Sequence, residues 1–282
     1  MIDELDKLNS LLTVIILTFN EERHIQRCIE RIKPITNDVF VVDCFSDDRT
    51  KEIAEANGAI VVQHKWPGNQ AEQFNWALEN LPIKSTWVLR LDADEYLYKE
   101  TLEEIKEKLS NQSLIDDVTS FSFVRDRTFM GQKVKYGCHE IELVRMFRFG
   151  YGHCERKEMD ERIITYSGRN VKLKGHFIDD SLISFEDWKK KHINYAEREA
   201  RQYFIPNQTP TKNFYYKLPP YFRSFAYFCY RYFLCLGFLD GVAGLRWNFW
   251  QGLWYRCLVD YKIGELKKIK NDSSISHMQK KR

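Results

Sequence analysis

The first hundred residues alternate short apolar runs with amphipathic patterns. Four runs rich in β-branched residues predict buried strands: Leu11–Leu17, Val39–Val42, Ala59–Val62 and Trp87–Leu91. Helices are expected between and after these strands. The first is capped by Asn20 and carries an apolar stripe of Ile25, Cys28, Ile29 and Ile32, and the second is capped by Asp47 or Asp48. The third and fourth are expected over 71–81 and 100–109. This alternation predicts an α/β fold, a mostly parallel sheet flanked by helices, that binds ligands at the carboxyl ends of its strands.

The later part of the chain changes character. Residues 119–150 predict further strands and turns, 185–203 a long helix, and the prolines of 206–222 a linker or an irregular crossing. We therefore expect a main domain over 1–205 and a C-terminal helical extension over 206–265, dense in aromatic and basic residues. A basic, flexible tail is expected over 266–282.

Composition excludes several classes of protein. The chain has 44% hydrophobic and 29% charged residues, which excludes wholesale disorder. A mean hydropathy of -0.49 argues against a polytopic membrane protein. The net charge of +3 is too small to indicate a nucleic-acid partner, and we expect none. Seven scattered cysteines without a CxxC motif and a polar N-terminus indicate reduced thiols and a cytoplasmic location.

The turn after the first strand excludes two kinds of phosphate-binding loop. Its sequence is Thr18-Phe19-Asn20-Glu21, so a dinucleotide-binding GxGxxG does not follow the strand. A Walker A sequence is also absent. This argues against NAD and FAD, and a nucleotide would have to be held by side chains and a metal.

Acidic residues follow the second and fourth predicted strands. On an extended segment Asp92 and Asp94 would point to one side, and such paired carboxylates suit Mg²⁺ or Mn²⁺. A solvated acidic turn is the alternative. Asp43, at the end of the second strand, can accept from a base N–H or a ribose hydroxyl, unless it merely meets solvent there. We expect Asp48 to cap a helix.

Three segments occur in order: TFNEER after the first strand, VVDCFSDDRT after the second, and WVLRLDADE at the fourth. Together they resemble family 2 of the nucleotide-sugar glycosyltransferases, which have a GT-A (Rossmann-like) fold. With the QFNWAL segment between them, they resemble the branch of lipopolysaccharide-core β-1,4-glucosyltransferases. The resemblance is specific over 11–100 and looser through VRMFRF, MDERI, LKGHFIDDS and GFLDGVAGL.

The resemblance implies roles for individual residues. It implies that Thr18, Asn20, Glu22, Asp43, Asn75 and Asp92 bind the nucleotide sugar. It implies metal binding by Asp94. Asp179 stands where the family has a later His, and it could still bind the metal through oxygen. A His-Glu pair of the family matches Asp160-Glu161 here, so Glu161, or less favourably Asp160, is the candidate general base. Phe74 stands where the family commonly has a basic residue, which removes one expected diphosphate contact.

Sugar transfer needs a metal to stabilise the departing diphosphate and a base to take the acceptor proton. Arg145 and Arg148 could hold acceptor or diphosphate oxygens, or pair with surface acids. The resemblance implies inversion at the anomeric centre, a UDP-hexose as donor, and a glycan or lipid-linked acceptor in bacterial lipopolysaccharide, capsule or other surface polysaccharide. A non-catalytic scaffold and a nucleotidyltransferase are the alternatives. The latter usually carries a Gly-rich basic loop where this chain has TFNEER.

Residues 213–261 concentrate aromatic side chains among Arg and Lys. That composition is typical of an interfacial element, and we expect this segment to lie on the inner face of the cytoplasmic membrane. Its lipid-phosphate contacts would be Arg223, Arg231, Arg246 and Arg256. A helical pair that packs on the main domain or on a second subunit is the alternative.

Overall fold

The computed structural model describes residues 8, 10–111, 115–137, 140–156, 161–205 and 210–279. The chain divides into two compact units, which are described separately below. Unit 1 comprises Met1–Gly131 and Glu140–Leu182, and unit 2 comprises Gln132–His139 and Ile183–Arg282. The division at 182/183 differs from the boundary expected at 205, because the helix that follows packs with the C-terminal helices.

Unit 1 contains a mixed sheet. Its strands along the chain are β1 (Leu12–Thr18), β2 (Val39–Asp43), β3 (Ile60–Gln63), β4 (Trp87–Asp92), β5 (Glu95–Leu97), β6 (Val118–Phe129), β8 (Glu142–Arg148) and β11 (Arg169–Asp179). Their order in the sheet is β3-β2-β1-β4-β8-β6-β11-β5. The first four strands are parallel, as the sequence predicts, and β8 is antiparallel to both β4 and β6. A separate pair, β9 (Gly152–Cys154) and β10 (Ile163–Thr165), is antiparallel.

Both faces of the parallel part are buried, which explains its unbroken apolar runs. In β1, Val14 and Ile16 join one core cluster, and Ile15 and Leu17 join another. The clusters are covered by α1 (Ile25–Ile32), α2 (Thr50–Ala56), α3 (Gln70–Asn80) and α4 (Lys99–Ser110). The fold class predicted from the alternating pattern is therefore observed.

Asn20 does not cap α1, contrary to the prediction. The helix begins at Ile25 with His24 at its N-cap position, and Asn20 lies earlier, in a left-handed turn with φ 58°. Asp48 does act at the start of α2, where its Oδ1 accepts from the Thr50 N–H at 2.9 Å.

Unit 2 holds β7 (Gln132–Val134) and the C-terminal helices: α5 (Phe185–Gln202), α6 (Pro210–Lys217), α7 (Phe222–Cys229), α8 (Gly241–Trp247) and α9 (Tyr255–Gln279), with π-helical turns at Tyr230–Leu234 and Asn248–Trp254 and a 3₁₀ turn at Gly237–Asp240. Ala196 and Ala200 of α5 pack against Tyr255, Val259 and Ile263 of α9. Part of 206–222, where the prolines predicted a linker or an irregular crossing, is the helix α6. The expected tail is helical as far as Gln279, and its flexibility stays a prediction.

The arginines predicted to contact lipid phosphates lie mostly inside unit 2. Arg223 is buried against Asp260, and its Nε donates to Oδ1 at 2.8 Å. Arg231 is buried and its Nε donates to the Gly137 carbonyl at 2.5 Å. Arg256 pairs with Glu199 at 2.5 Å. Only Arg246 of the four is exposed, so the predicted contact is wrong for Arg223 and Arg231, which have no open surface to offer.

Within the described residues, no single helix has the length and apolar character needed to cross a membrane. Phe222–Leu234 and Gly237–Lys270 meet the criterion only as a pair, bent by 72°.

Candidate active site

The carboxyl ends of β1, β2 and β4 meet at one edge of the sheet of unit 1. Thr18 is the register partner of Asp43, and Leu17 is the partner of Asp92. The parallel pairing therefore places Thr18, Asp43 and Asp92 side by side, as the alternation of strands and helices predicted. We call this the acidic edge, formed by Asp43, Asp92, Asp94, Glu95 and Asp179.

Asp43 is fully buried and accepts hydrogen bonds on both oxygens. Thr18 Oγ1 donates to Oδ1 at 3.2 Å, and the Ser46 N–H donates to Oδ2 at 3.0 Å. Gln63 Nε2 also donates to Oδ2, at 3.2 Å. The carboxylate thus holds the end of β2 to its neighbours, and a nucleotide would have to exchange with one of these donors.

The loops after β1 and β2 are tied together by reciprocal hydrogen bonds. Asn20 Oδ1 accepts from the Asp47 N–H at 3.1 Å, and Glu22 Oε2 accepts from the Arg49 N–H at 3.3 Å. In return, Asp48 Oδ2 accepts from the Glu22 N–H at 3.1 Å. Asn20 and Glu22, both predicted to bind nucleotide, therefore fix the shape of this part of the edge.

Asp92 lies between two buried arginines. Its Oδ1 is 3.4 Å from Arg90 Nη2, and its Oδ2 is 3.9 Å from Arg145 Nη2. Burial would raise the pKa of Asp92, but Arg90 and Arg145 outweigh it and hold the pKa below its usual range. Asp92 is thus ionised, partly exposed and only loosely contacted, which leaves it able to accept from a ligand.

The segment after Asp92 is a turn, so the extended geometry predicted for Asp92 and Asp94 is wrong. The turn comprises Ala93 and Asp94, and Glu95 then begins β5. Glu95 folds back, and its Oε2 accepts from the Asp92 N–H at 3.1 Å. Arg145 contacts its other oxygen. Glu95 therefore closes the turn that presents Asp94.

Carboxylates crowd this turn. Burial raises the pKa of Glu95 to about 8. Arg145 opposes this rise, whereas the nearby acids Asp92, Asp179 and Asp94 add to it. Asp179 is opposite Glu95 in the β11–β5 pairing, and Arg125 Nη1 lies 3.8 Å from its Oδ2. The sheet thus brings together the two predicted metal ligands, Asp94 and Asp179, from residues far apart in the chain.

The donor set at the acidic edge fits a divalent cation. Its groups are hard oxygen donors. Burial is the main cause of the raised pKa of Glu95, neighbouring carboxylates add to it, and a positive ion would relieve their repulsion. In the described part of the chain, no three side chains of the His, Cys, Asp or Glu type already form a metal site. Mg²⁺ commonly takes one or two protein carboxylates and completes its shell with water and substrate phosphate.

Glu161 lies close enough to Arg90 to influence it electrostatically, while Asp160 is outside the described residues. Burial alone would lower the pKa of the Arg90 guanidinium, but nearby anionic groups raise it, and Glu161 is one of them. Arg90 also donates to Cys154 Sγ at 3.1 Å. The candidate base is therefore within electrostatic range of an arginine that contacts Asp92.

Two predicted binding residues have structural partners instead. Asn75 Nδ2 donates to the Cys154 carbonyl and Asn75 Oδ1 accepts from the Cys154 N–H, each at 2.8 Å. These two hydrogen bonds join α3 to β9. Arg148 pairs in register with Trp87, at the start of β4, which is the opposite end of the strand from Asp92. Its Nε and Nη2 donate to the carbonyls of Val118 and Ile115 at 2.7 and 2.8 Å. Neither position fits the predicted ligand contact.

Sequence reasoning missed Arg90 and Glu95. Arg90 lies two residues before the DADE sequence and Glu95 ends it. A charged residue inside a buried strand, as Arg90 is, is itself a signal, because burial of an unpaired charge is costly. The Arg90 guanidinium also lies over the Phe74 ring at 5.3 Å, so a cation is present beside the position where the family commonly has one. The exposed rings of Phe19 and Phe45 were missed as well.

Comparison with known proteins agrees with this arrangement. The model of the family described as "Glycosyl transferase family 2" matches residues 13–174, more than half of the chain. The chain belongs to glycosyl transferase family 2. This membership and the mixed, helix-flanked sheet confirm the predicted family, the GT-A fold and a glycosyltransferase domain. The finer assignment to the lipopolysaccharide-core branch stays a prediction.

Relatives of this family 2 chain carry the same general description. An uncharacterized glycosyltransferase of Rickettsia bellii is 37% identical over 106 residues, 38% of this chain and 35% of the relative. One from Rickettsia conorii is 42% identical over 99 residues, 35% of this chain and 34% of the relative. The matches span about a third of the length of these curated relatives.

Solved structures similar to this family 2 chain include TarS of S. aureus. It is 14% identical, with a TM-score of 0.43, over 93% of this chain and 92% of that one. Glucosyl-3-phosphoglycerate synthase of Mycobacterium tuberculosis, crystallised with Mg²⁺ and uridine diphosphate, is 25% identical. Its TM-score is 0.29, over 34% of this chain and 38% of that one.

Proposed function

We propose that this protein is a metal-dependent, inverting glycosyltransferase. It moves a sugar, from a UDP-hexose, to a glycan or lipid-linked acceptor in bacterial lipopolysaccharide, capsule or other surface polysaccharide. One observation carries the proposal: within the family 2 match, parallel register brings Thr18, Asp43 and Asp92 together, and the Asp94 turn and Asp179 complete an acidic edge.

The donor side of the reaction rests on this edge. Asp43 and the loops tied by Asn20 and Glu22 form the nucleotide end, where the exposed Phe45 offers a face for a base. Phe45 has φ 60°, a conformation that non-glycine residues rarely adopt and that is typical of functional loops. Asp94 and Asp179 would hold Mg²⁺ or Mn²⁺, which supplies Lewis-acid stabilisation of the departing diphosphate.

The acceptor side needs a base and an orienting cation. Glu161 is half-exposed and can take the proton of the attacking hydroxyl as a general base. Asp92, held by Arg90 and Arg145, accepts from the donor sugar or ribose. As Glu161 takes the hydroxyl proton, the acceptor oxygen would form its bond to the anomeric carbon from the face opposite the diphosphate, which leaves with the electrons of the broken bond. This attack from the opposite face inverts the anomeric centre.

A lipid-linked acceptor would bring the enzyme to a membrane surface. We infer peripheral association with the inner face of the cytoplasmic membrane through residues 213–261. This segment carries exposed Phe, Leu and Tyr side chains, a composition typical of an interfacial element.

Thermal shift with nucleotides and metal tests the donor site. UDP and UDP-hexoses should raise the melting temperature in the presence of Mn²⁺ more than in its absence, because ligand binding stabilises the native state by mass action. Asp94→Asn should remove the metal-dependent part of that shift and lower UDP-hexose hydrolysis by at least about 100-fold, the loss of several kcal/mol of metal stabilisation.

Asp117→Asn is the matched control, because Asp117 precedes β6 and pairs with Arg169 away from the acidic edge. It should leave both readouts unchanged. A metal-dependent shift without any hydrolysis or transfer would indicate the scaffold alternative. Release of pyrophosphate from a nucleoside triphosphate would indicate a nucleotidyltransferase.

A further inference from the structure

Residues 233–245 of unit 2 form what we call the apolar apex. It contains the end of the first π-helical turn, the 3₁₀ turn and most of α8. Leu234 is 76% exposed and Val242 is 64% exposed. Five further large apolar side chains of this short segment are also exposed: Phe233, Leu236, Phe238, Leu239 and Leu245. Exposed apolar side chains this concentrated mark an interaction surface.

The segment is built to turn sharply at the apex. Leu236 has φ 60°, and the Leu236 and Leu239 N–H groups donate to the carbonyls of Phe233 and Leu236. A Cβ added at Gly244 would lie 2.0 Å from the Gly237 carbonyl oxygen, so only glycine allows this close return of the chain. The apolar side chains are therefore displayed around a fixed bend.

The two acidic residues of 213–261 have partners within unit 2. Asp240 Oδ2 accepts from the N–H groups of Lys135 and Tyr136 at 2.9 and 2.7 Å. Asp260 is buried against Arg223. These two are the only acids of 213–261, a range that the structure describes throughout, and both carboxylates accept hydrogen bonds within unit 2.

The remaining exposed charges of 213–261 are cations, Lys217 and Arg246. A tip of exposed apolar side chains, with the exposed Arg246 directly after it in the chain, complements a phospholipid surface, whose acyl chains lie beneath phosphate groups. A helix of the length of Phe222–Leu234 rises about 20 Å, which is less than the roughly 30 Å of a bilayer core. This first arm is therefore long enough to enter one leaflet but too short to cross the core by itself.

We propose that the apolar apex inserts into one leaflet of a phospholipid membrane as a re-entrant wedge. The proposal rests on the membrane association proposed above and specifies its mode: apolar insertion, with Lys217 and Arg246 at the phosphates, rather than adsorption through the buried Arg223 and Arg231.

Vesicle flotation of the full chain tests this mode. Wild-type protein should float with neutral phosphatidylcholine vesicles and remain bound at about 1 M NaCl, where the Debye length falls to about 3 Å and charge attraction is screened. Leu234→Glu combined with Val242→Glu should lower binding by at least about tenfold, because two charges would enter the apolar layer. Ile269→Glu, also at an exposed position but on α9, should bind like wild type.

Three results separate the possibilities. Binding that needs phosphatidylglycerol and is lost in salt would overturn insertion while leaving membrane association standing. A wild-type chain that does not float, but forms a dimer that the apex variant dissociates, would assign the apex to a second copy of the chain. The Mn²⁺-dependent UDP shift, measured on the same samples, reports separately on the donor site and on folding of the variants.

Discussion

Buried arginine–carboxylate pairs occur in both units, but they differ in the hydrogen bonds that the carboxylate accepts and in how much of it is exposed. Asp260 in unit 2 has a side chain 1% exposed, and it accepts from the Tyr221 N–H, from Arg223 and from Ser224 Oγ. Asp92 in unit 1 has a side chain 23% exposed, and its arginine contacts are 3.4 and 3.9 Å long. A carboxylate with complete contacts supports the fold, whereas one with incomplete contacts and open surface can exchange a partner for a ligand.

The comparison predicts that neutralising Asp260 chiefly lowers stability. Asp260→Asn leaves the Arg223 guanidinium buried without its counter-ion, which costs about 3–5 kcal/mol of the free energy of unfolding. Urea denaturation measures this loss. Asp117→Asn, which removes the acid of an exposed bidentate pair with Arg169, should cause little change. Equal losses in the two variants would show that burial does not distinguish the pairs.

The same substitution at Asp92 should chiefly lower activity. Asp92→Asn removes a partly exposed charge with long contacts, so we expect a stability change well below that of Asp260→Asn. Turnover of the UDP-hexose should fall about 100-fold, equivalent to about 2.7 kcal/mol, because an oriented anion that contacts the donor is lost. Steady-state kinetics on Asp92→Asn and Asp260→Asn, each corrected for folded fraction, checks the contrast. Full activity of Asp92→Asn would remove it from the binding site.

The parallel part of unit 1 could be predicted from the sequence because its physical causes are local. Burial on both faces forces the apolar runs of β1 and β2, and parallel register then places the strand ends together. Asn20 was misassigned because a polar residue before a helical stripe can equally form a left-handed turn.

The side-chain pairings could not be predicted in this way. Glu95 meets Arg145, and Arg223 meets Asp260, across long stretches of chain whose closure depends on the whole fold. The arginines of 213–261 were assigned to lipid because composition counts charges but does not show their partners. Arg90 was the exception that local reasoning could have found.

A histidine in unit 2 extends the comparison to the pH dependence of stability, and its expected effect on the free energy of unfolding is the smallest. Burial lowers the pKa of His192 from 6.5 to about 4. Its Nδ1 is 2.8 Å from the Trp188 carbonyl and its Nε2 is 3.0 Å from Gln251 Nε2, which assigns a neutral ring that donates through Nδ1 and accepts through Nε2. Like the oxygens of Asp260, both ring nitrogens of His192 therefore have hydrogen-bond partners within unit 2.

Because the pKa of His192 is lower in the folded state, the unfolded state binds more protons between pH 6.5 and 4. The contribution of His192 to stability is therefore complete above pH 6.5 and is lost as pH falls toward 4, by about 2 kcal/mol at most after allowance for partial exposure. His192→Gln should make the free energy of unfolding less dependent on pH in this window, measured by urea denaturation at each pH. Above pH 7 the two proteins should show the same slope. If the slope of the free energy of unfolding against pH is the same in His192→Gln and wild type below pH 6, the ring is protonated in the folded protein. The hydrogen bonds assigned to its neutral form would then be wrong.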